Sequence, residues 1–447
     1  MIRGLLIITI LLIVAGCSND TENVGTKSED ILKLLESESY QELTETYFSN
    51  SLQERLSPEE LQENWEAVRG QTLVSFSALE SDTRQDYTIM EAEASFEEKV
   101  VHIRMTWDQQ DKLQGLHIQA EQNLAEERPL PDQVIEEDIL INTGGSYELA
   151  GKLTLPEKTE QPIPAVVLVH GSGPSDMNEA VFAYKPFQDF AYSLAEQEIA
   201  VLRYPKRTYE YAEELVAEFG NELTVKEETI DDAVAAIHLL QADPRIGQVY
   251  IIGHSLGGML APRIDQQADT DGMVILAGSP RFLWEIIYDQ QMAVIPENLA
   301  EEEKQAYMQE IEETKELAAS MQDLTDTEAI KHNVYGVSGY YLKEMASYDA
   351  GQMALDSNKP IFILQGEADF QVTMEADFSQ WQTKLGDQPN AALKSYPNLN
   401  HFFIESQGEH QGTVTEYMTP GHVDEQVILD IAAWIHEQSE NMEEDTE

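Results

Sequence analysis

The segment Val249-Tyr250-Ile251-Ile252-Gly253-His254-Ser255-Leu256-Gly257-Gly258 constrains this chain more than any other. Its apolar start predicts a strand covered on both faces, and the residues from Leu256 onward, with Met259 and Leu260, read as a helix. Joining the two takes a sharp turn with Ser255 at its tip. Such a turn leaves no space for side chains two positions either side of the serine, where Gly253 and Gly257 stand. The first N–H groups of a helix lack intrahelical partners, so that of Leu256 can hydrogen-bond an oxygen gaining negative charge beside Ser255.

A second loop has similar character. Val166-Val167-Leu168-Val169 leads into His170-Gly171-Ser172-Gly173-Pro174. A glycine loop at the C-terminal end of a strand can present another backbone N–H to the same oxyanion. Ser172 is the expected donor and Gly171 the alternative, with His170 ordering the loop. Further strands are expected over Tyr147–Leu155, Ala200–Tyr204, Met273–Leu276, Pro360–Gln365 and Ala392–Tyr396, with helical stretches such as Lys226–Gln241 between them. This alternation predicts an α/β fold, a doubly wound and mostly parallel sheet.

These elements resemble the α/β-hydrolase superfamily, particularly bacterial esterases related to dienelactone hydrolases and to the catalytic domain of prolyl oligopeptidases. The resemblance runs from about Glu136 to His436. It implies a triad in the order serine, acid, histidine. A hydroxyl is a weak nucleophile until a base takes its proton, and the histidines after Ser255 are His332, His401, His410, His422 and His436. His401 is expected to be the base, in a loop just past the Ala392–Tyr396 strand; His436 falls on a terminal amphipathic helix around Val427–Ile435. The acid should follow the preceding strand, where Gly366, Asp369 and Val372 match the family pattern G-x-x-D-x-x-V. Asp369 is expected there, with Glu367 its rival. One segment departs from the resemblance: Arg203-Tyr204-Pro205-Lys206-Arg207-Thr208, where relatives usually have Asp after the tyrosine and Gly after the second arginine.

The hydrolase-like domain is expected over 136–439, with an insertion at about 281–351 too long for a simple connection. Phe282, Leu283, Trp284, Ile286, Ile287 and Tyr288 open it, and an acidic helical run follows over Leu299–Met321. It should form a helical cap over Ser255. Its apolar residues are expected to serve packing between cap and core more than a substrate pocket.

Ahead of this domain the chain changes character several times. Residues 1–17 have Arg3, an apolar run from Leu5 to Val14, and Val14-Ala15-Gly16-Cys17. The run is too short for a typical membrane span and fits a secretory signal. Its end resembles a bacterial lipoprotein cleavage box, which implies lipidation at Cys17, the only cysteine. Residues 18–27 are polar and read as a flexible tether. Residues 28–125 read as a small α+β domain: Ile31, Leu34 and Leu35 share a helical face, Ser57-Pro58-Glu59-Glu60 opens a second helix with a capping box, and Val101, Ile103, Met105 and Trp107 alternate with polar residues as in a half-buried strand. This part resembles a domain of unknown function found ahead of secreted bacterial hydrolases. His102 and His117 read as sheet-face residues. The acidic stretch from Glu126 to about Glu137, with Pro129 and Pro131, reads as a linker.

Acidic side chains number 83 and basic ones 27, a net charge of −56. Such a surface repels phosphate backbones, so nucleic acid is not an expected partner. It also fits surroundings rich in salt or alkali, where screening softens self-repulsion. The expected function is a lipid-anchored serine hydrolase on the outer face of a bacterial membrane, acting on small esters without metal or organic cofactor. A short-peptide peptidase, a thioesterase or acyltransferase, and a surface binding lipoprotein on a hydrolase scaffold are the alternatives.

Overall fold

The computed structural model describes residues 21–444, apart from 54–55, 70–71, 78, 85–86, 97–99, 121–127, 143–146, 160–161, 296–300 and 409. Cys17 and the leader therefore lie outside the described residues. The described residues form two compact units, one within 21–120 and one within 128–444.

The first unit packs helices on an antiparallel sheet. Its opening helix, Thr21–Glu36, begins inside the stretch expected to be a tether, because Val24 and Ser28 continue the buried face of Ile31 and Leu35 one helical repeat earlier. The Ser28 hydroxyl accepts from Trp107 Nε1 at 2.9 Å, which ties that helix to the sheet. In the helix Pro58–Val68 the capping box is present: Ser57 Oγ accepts from Glu60 N–H at 3.2 Å and Glu60 Oε2 from Ser57 N–H at 3.0 Å. The strands are β1 (Leu73–Phe76), β2 (Glu80–Arg84), β3 (Tyr87–Phe96), β4 (Val100–Asp108) and β5 (Leu113–Ala120), in the order β1-β3-β4-β5 with β2 also on β3. Along β4, Val101, Ile103, Met105 and Trp107 are buried while His102 and Arg104 are exposed, the period of two that makes one face core.

The second unit carries eight strands in one sheet: β6 (Val134–Asn142), β7 (Glu148–Pro156), β8 (Ile163–Val169), β9 (Ala200–Arg203), β10 (Ile246–His254), β11 (Gly272–Leu276), then, past a short hairpin β12 (Asn333–Val334) and β13 (Val337–Ser338) outside it, β14 (Ile361–Gly366) and β15 (Ala391–Tyr396). The sheet order is β15-β14-β11-β10-β8-β9-β7-β6. Neighbours from β15 to β9 run parallel, and β7 is antiparallel to both β9 and β6. All seven residues of β8 are buried. Ala165, Val167 and Val169 enter the core shared with the helices Asp231–Gln241 and Leu256–Ala268, whereas Val166 and Leu168 face Pro186–Glu196 and Glu425–Glu444. Helices on both faces explain why the strand sequences are continuous apolar runs rather than alternating ones.

β6 starts at Val134, inside the stretch read as linker. Its acidic run suits a strand because cations from elsewhere in the unit meet it: Glu136 pairs with Arg203 at the end of β9, Glu137 with Arg245 in the turn before β10 and Asp138 with Lys152 on the adjacent β7. The insertion after β11 holds the helices Leu283–Ala293 and Glu301–Ser320, the β12–β13 hairpin and the helix Gly339–Ala346. The helix Ala350–Asp356 packs instead on Leu256–Ala268, as part of the layer over the sheet.

Candidate active site

Ser255 lies between the end of β10 and the helix Leu256–Ala268, with φ 52° and ψ −115°. A non-glycine residue there is strained by on the order of 1–3 kcal/mol, and the surroundings hold it. Its N–H donates to Leu276 O at 2.9 Å and its carbonyl accepts from Met259 N–H at 3.0 Å. A Cβ on Gly253 would stand 2.3 Å from Gly257 O, and one on Gly257 2.2 Å from Val169 O. Both glycines are thus required by contact with backbone.

The loop after β8 is clamped beside this turn. Gly171 N–H donates to Glu179 Oε1 at 2.7 Å, which removes it as an oxyanion donor. Among the described residues no partner meets the N–H of Ser172 or of Leu256, and both residues line one cavity with Ser255. His170 Nε2 lies 2.9 Å from Asp176 O, so it orders the loop; burial pushes its imidazole down to about 4, which keeps it neutral.

His401 Nδ1 stands 2.7 Å from Asp369 Oδ2. Asp369 Oδ2 also accepts from Gln365 Nε2 at 2.9 Å, and Oδ1 accepts the N–H groups of Gln371 at 2.8 Å and Val372 at 3.0 Å. The pattern around the aspartate thus has a physical content. Val372 caps the carboxylate, and Gly366 lets the histidine loop approach, since a Cβ there would be 2.4 Å from Leu399 O. Glu367, the rival acid, accepts instead from Ser395 at 2.8 Å in an exposed position. His422 meets Asp189, His436 meets Gln197 O, and His102 faces Glu93 on the small unit's sheet.

The residue before the serine links these parts. His254 Nε2 lies 3.0 Å from His401 O, its ring is 4.7 Å from the His401 ring, and Nδ1 faces Glu179 Oε2 at 2.9 Å. Burial alone would lower the His254 pKa, but the Glu179 carboxylate outweighs it and holds the imidazole above its ordinary value. Burial likewise opposes ionisation of Glu179, and the His254 charge holds it low. Glu179 and Gln365 carried no sequence signal, because their roles arise only from contacts made in the fold.

A cavity of about 340 Å³ opens over Ser255. Leu256, Met259 and Val372 line it from below and Leu283, Ile286, Ile287 and Val337 from the cap. The cap residues expected mainly to pack therefore divide. Phe282 and Trp284 stack on each other and Tyr288 lies under Lys315, while Leu283, Ile286 and Ile287 face the cavity.

Residues 166–411 match the model of the alpha/beta hydrolase family, and residues 28–116 match that of a protein of unknown function (DUF3887). Esterase EstD of Thermotoga maritima is 33% identical over 396 residues, spanning 87% of this chain and 89% of its own. Among solved structures, Est1E from Butyrivibrio proteoclasticus has a TM-score of 0.43 at 14% identity, covering 67% of this chain and 98% of that one. The esterase domain of a Rhodothermus marinus protein has a TM-score of 0.39 at 15% identity, covering 68% and 97%. The chain belongs to the alpha/beta hydrolase family.

Proposed function

We propose that the protein is a serine carboxylesterase, tethered by lipid at Cys17 to the outer face of a bacterial membrane. The observation that carries the catalytic part is the strained Ser255 turn, whose His254 meets the backbone carbonyl of His401 in a hydrogen-bonded Asp369–His401 pair, with Ser255, Leu256 and Ser172 lining one cavity. Ser255 Oγ attacks the ester carbonyl while His401 Nε2 takes its proton. Asp369 holds the proton on Nδ1 and stabilises the imidazolium. The oxygen that gains charge is received by the N–H groups of Leu256 and Ser172. His401 returns the proton to the departing alcohol, and water activated by the same histidine releases the acid. The esterase relative and the small, mainly apolar cavity favour an ester with a short acyl or alcohol part over a peptide. The anchor rests on the sequence around Cys17.

One labelling experiment tests both halves. A fluorophosphonate probe should label wild-type protein from detergent-extracted cells, and Triton X-114 partition should leave the label in the detergent phase. Ser255→Ala should lose the label and the hydrolysis of p-nitrophenyl acetate. Cys17→Ser should keep the label and move it to the aqueous phase. Retained labelling in Ser255→Ala would sink the nucleophile, and an unmoved label in Cys17→Ser would sink the anchor.

A further inference from the structure

The segment Arg203–Thr208 braces the loop after β8. Arg203 hydrogen-bonds Asn178, and Lys206 N–H donates to Ser175 O at 2.9 Å. The Lys206 side chain goes further. It is only 2% exposed, and its Nζ donates to Gly171 O at 2.9 Å and to Glu228 Oε1 at 2.5 Å. Glu228 sits in the π-helical turn Lys226–Ile230, and its Oε2 accepts from Tyr341 Oη of the cap at 2.7 Å. Burial, with the Glu228 carboxylate beside it, pushes the Tyr341 phenol well up, so it remains a donor across the working pH range.

Gly171 O belongs to the same peptide unit as the Ser172 N–H. The unit is planar and trans, so the two point in opposite directions. A cation held on the oxygen therefore aims the N–H away from Lys206. It also polarises the amide, which makes the N–H a stronger donor. On the other side of Gly171, Glu179 fixes the preceding N–H. A buried ion pair is weak evidence for stability, since an apolar replacement of the same shape often holds a fold as well. This one is connected to the peptide whose orientation the reaction would need.

We propose that Lys206 is a positioning residue of the oxyanion site, fixing and polarising the Gly171–Ser172 peptide, and that Tyr341 of the cap holds the Lys206 ammonium in place through Glu228. The proposal rests on the reading of Ser255 as nucleophile. It makes the cap part of the catalytic geometry as well as a wall of the cavity.

The test compares wild type, Lys206→Met and Tyr341→Phe, each purified and checked for fold by circular dichroism. Hydrolysis of p-nitrophenyl acetate and inhibition by an aryl trifluoromethyl ketone, which forms an anionic tetrahedral adduct on the serine, are measured for each. Lys206→Met should lower kcat by about 10- to 100-fold, less than the roughly 10²–10³-fold cost of deleting an oxyanion donor. KM should stay within about threefold, because the neutral ester gains little from the polarised donor. Tyr341→Phe, the milder change, should lower kcat by about 3- to 10-fold. In both, the ketone should lose affinity in proportion to the fall in kcat/KM. Either folded variant retaining kcat within twofold of wild type would overturn the proposal, as would an unchanged ketone affinity alongside a reduced kcat. If Lys206→Met does not fold, Tyr341→Phe decides alone. An inactive, unlabelled wild type would instead overturn the Ser255 reading.

Discussion

Between the end of β10 and the loop after β8, the His254 ring faces Glu179 at 2.9 Å while its other nitrogen meets the His401 carbonyl. The Glu179 contact is one of charge rather than an aligned hydrogen bond, and with the carbonyl on the other side it favours the charged imidazole. The charged groups around it are Glu179 and, further off, Asp369, with the rings of His170 and His401 nearby. The pH dependence follows from the two opposite shifts. The His254 pKa is raised above 6.5 in the fold, so its share of stability is full below about 6.5 and is lost as pH rises through the raised value. The Glu179 pKa is lowered from 4.5, so its share is present above about 4.5 and is lost as pH falls through the depressed value. The pair contributes most between those limits. Glu179→Gln should therefore cost roughly 3–5 kcal/mol at about pH 5.5, the range for breaking a buried ion pair by removing one partner. The cost should be smaller at about pH 9.5, because loss of the imidazole proton becomes more favourable as pH rises. Urea unfolding of both proteins at the two pH values checks this, and an equal cost at both would show that His254 is not charged in the native protein.

At the scale of elements, what could be read in the sequence was what neighbours along the chain decide. The turn at Ser255 is dictated by Gly253 and Gly257 two positions either side, and the capping box at Ser57 by a residue three positions on. The strand β6 is not legible in the sequence because the cations that make its acids tolerable, Arg203 and Arg245, come from distant parts of the chain. Loop position singles out Asp369 and His401, which the structure brings within 2.7 Å of each other, but the Gln365 and Val372 groups that hold the carboxylate are visible only once the turn exists. The cap was legible by its length and not by its division of labour, since helix periodicity does not say which apolar face meets a cavity. That division carries a prediction. Ile287 lines the cavity from the helix Leu283–Ala293, so Ile287→Trp should fill part of the space over Ser255. Each methylene of fit in such a pocket is worth about 1–3 kcal/mol, so kcat/KM for p-nitrophenyl hexanoate should fall at least about 10-fold relative to that for the acetate. A parallel change for both esters would place the acyl chain elsewhere.

For the whole molecule the charge imbalance sets the dominant long-range term. If every one of the 27 cations paired with a carboxylate, 56 carboxylates would still lack a partner. Many pairs that do form are at the surface, such as Lys33–Asp30 and Arg104–Glu91, where such contacts contribute about 0–1 kcal/mol. Added salt weakens both the pairs and the repulsion, and the numbers decide the sign: repulsion is the larger quantity, so its loss wins. The Debye length falls from about 10 Å at 0.1 M to about 3 Å at 1 M, so most repulsion between carboxylates that are not neighbours disappears over that range. Raising NaCl from 0.1 to 1 M should therefore raise the thermal midpoint of each compact unit by several degrees, about what 1 kcal/mol or more would give in units of this size. NaCl is the right salt, because sulfate would also strengthen apolar burial and mask the electrostatic term. Heat is the right denaturant, because guanidinium is itself a screening salt. Calorimetry at increasing NaCl then reads the balance directly. A flat or falling midpoint would mean that the buried and surface ion pairs outweigh the excess carboxylates, and that the acidic surface is not a load that salt relieves.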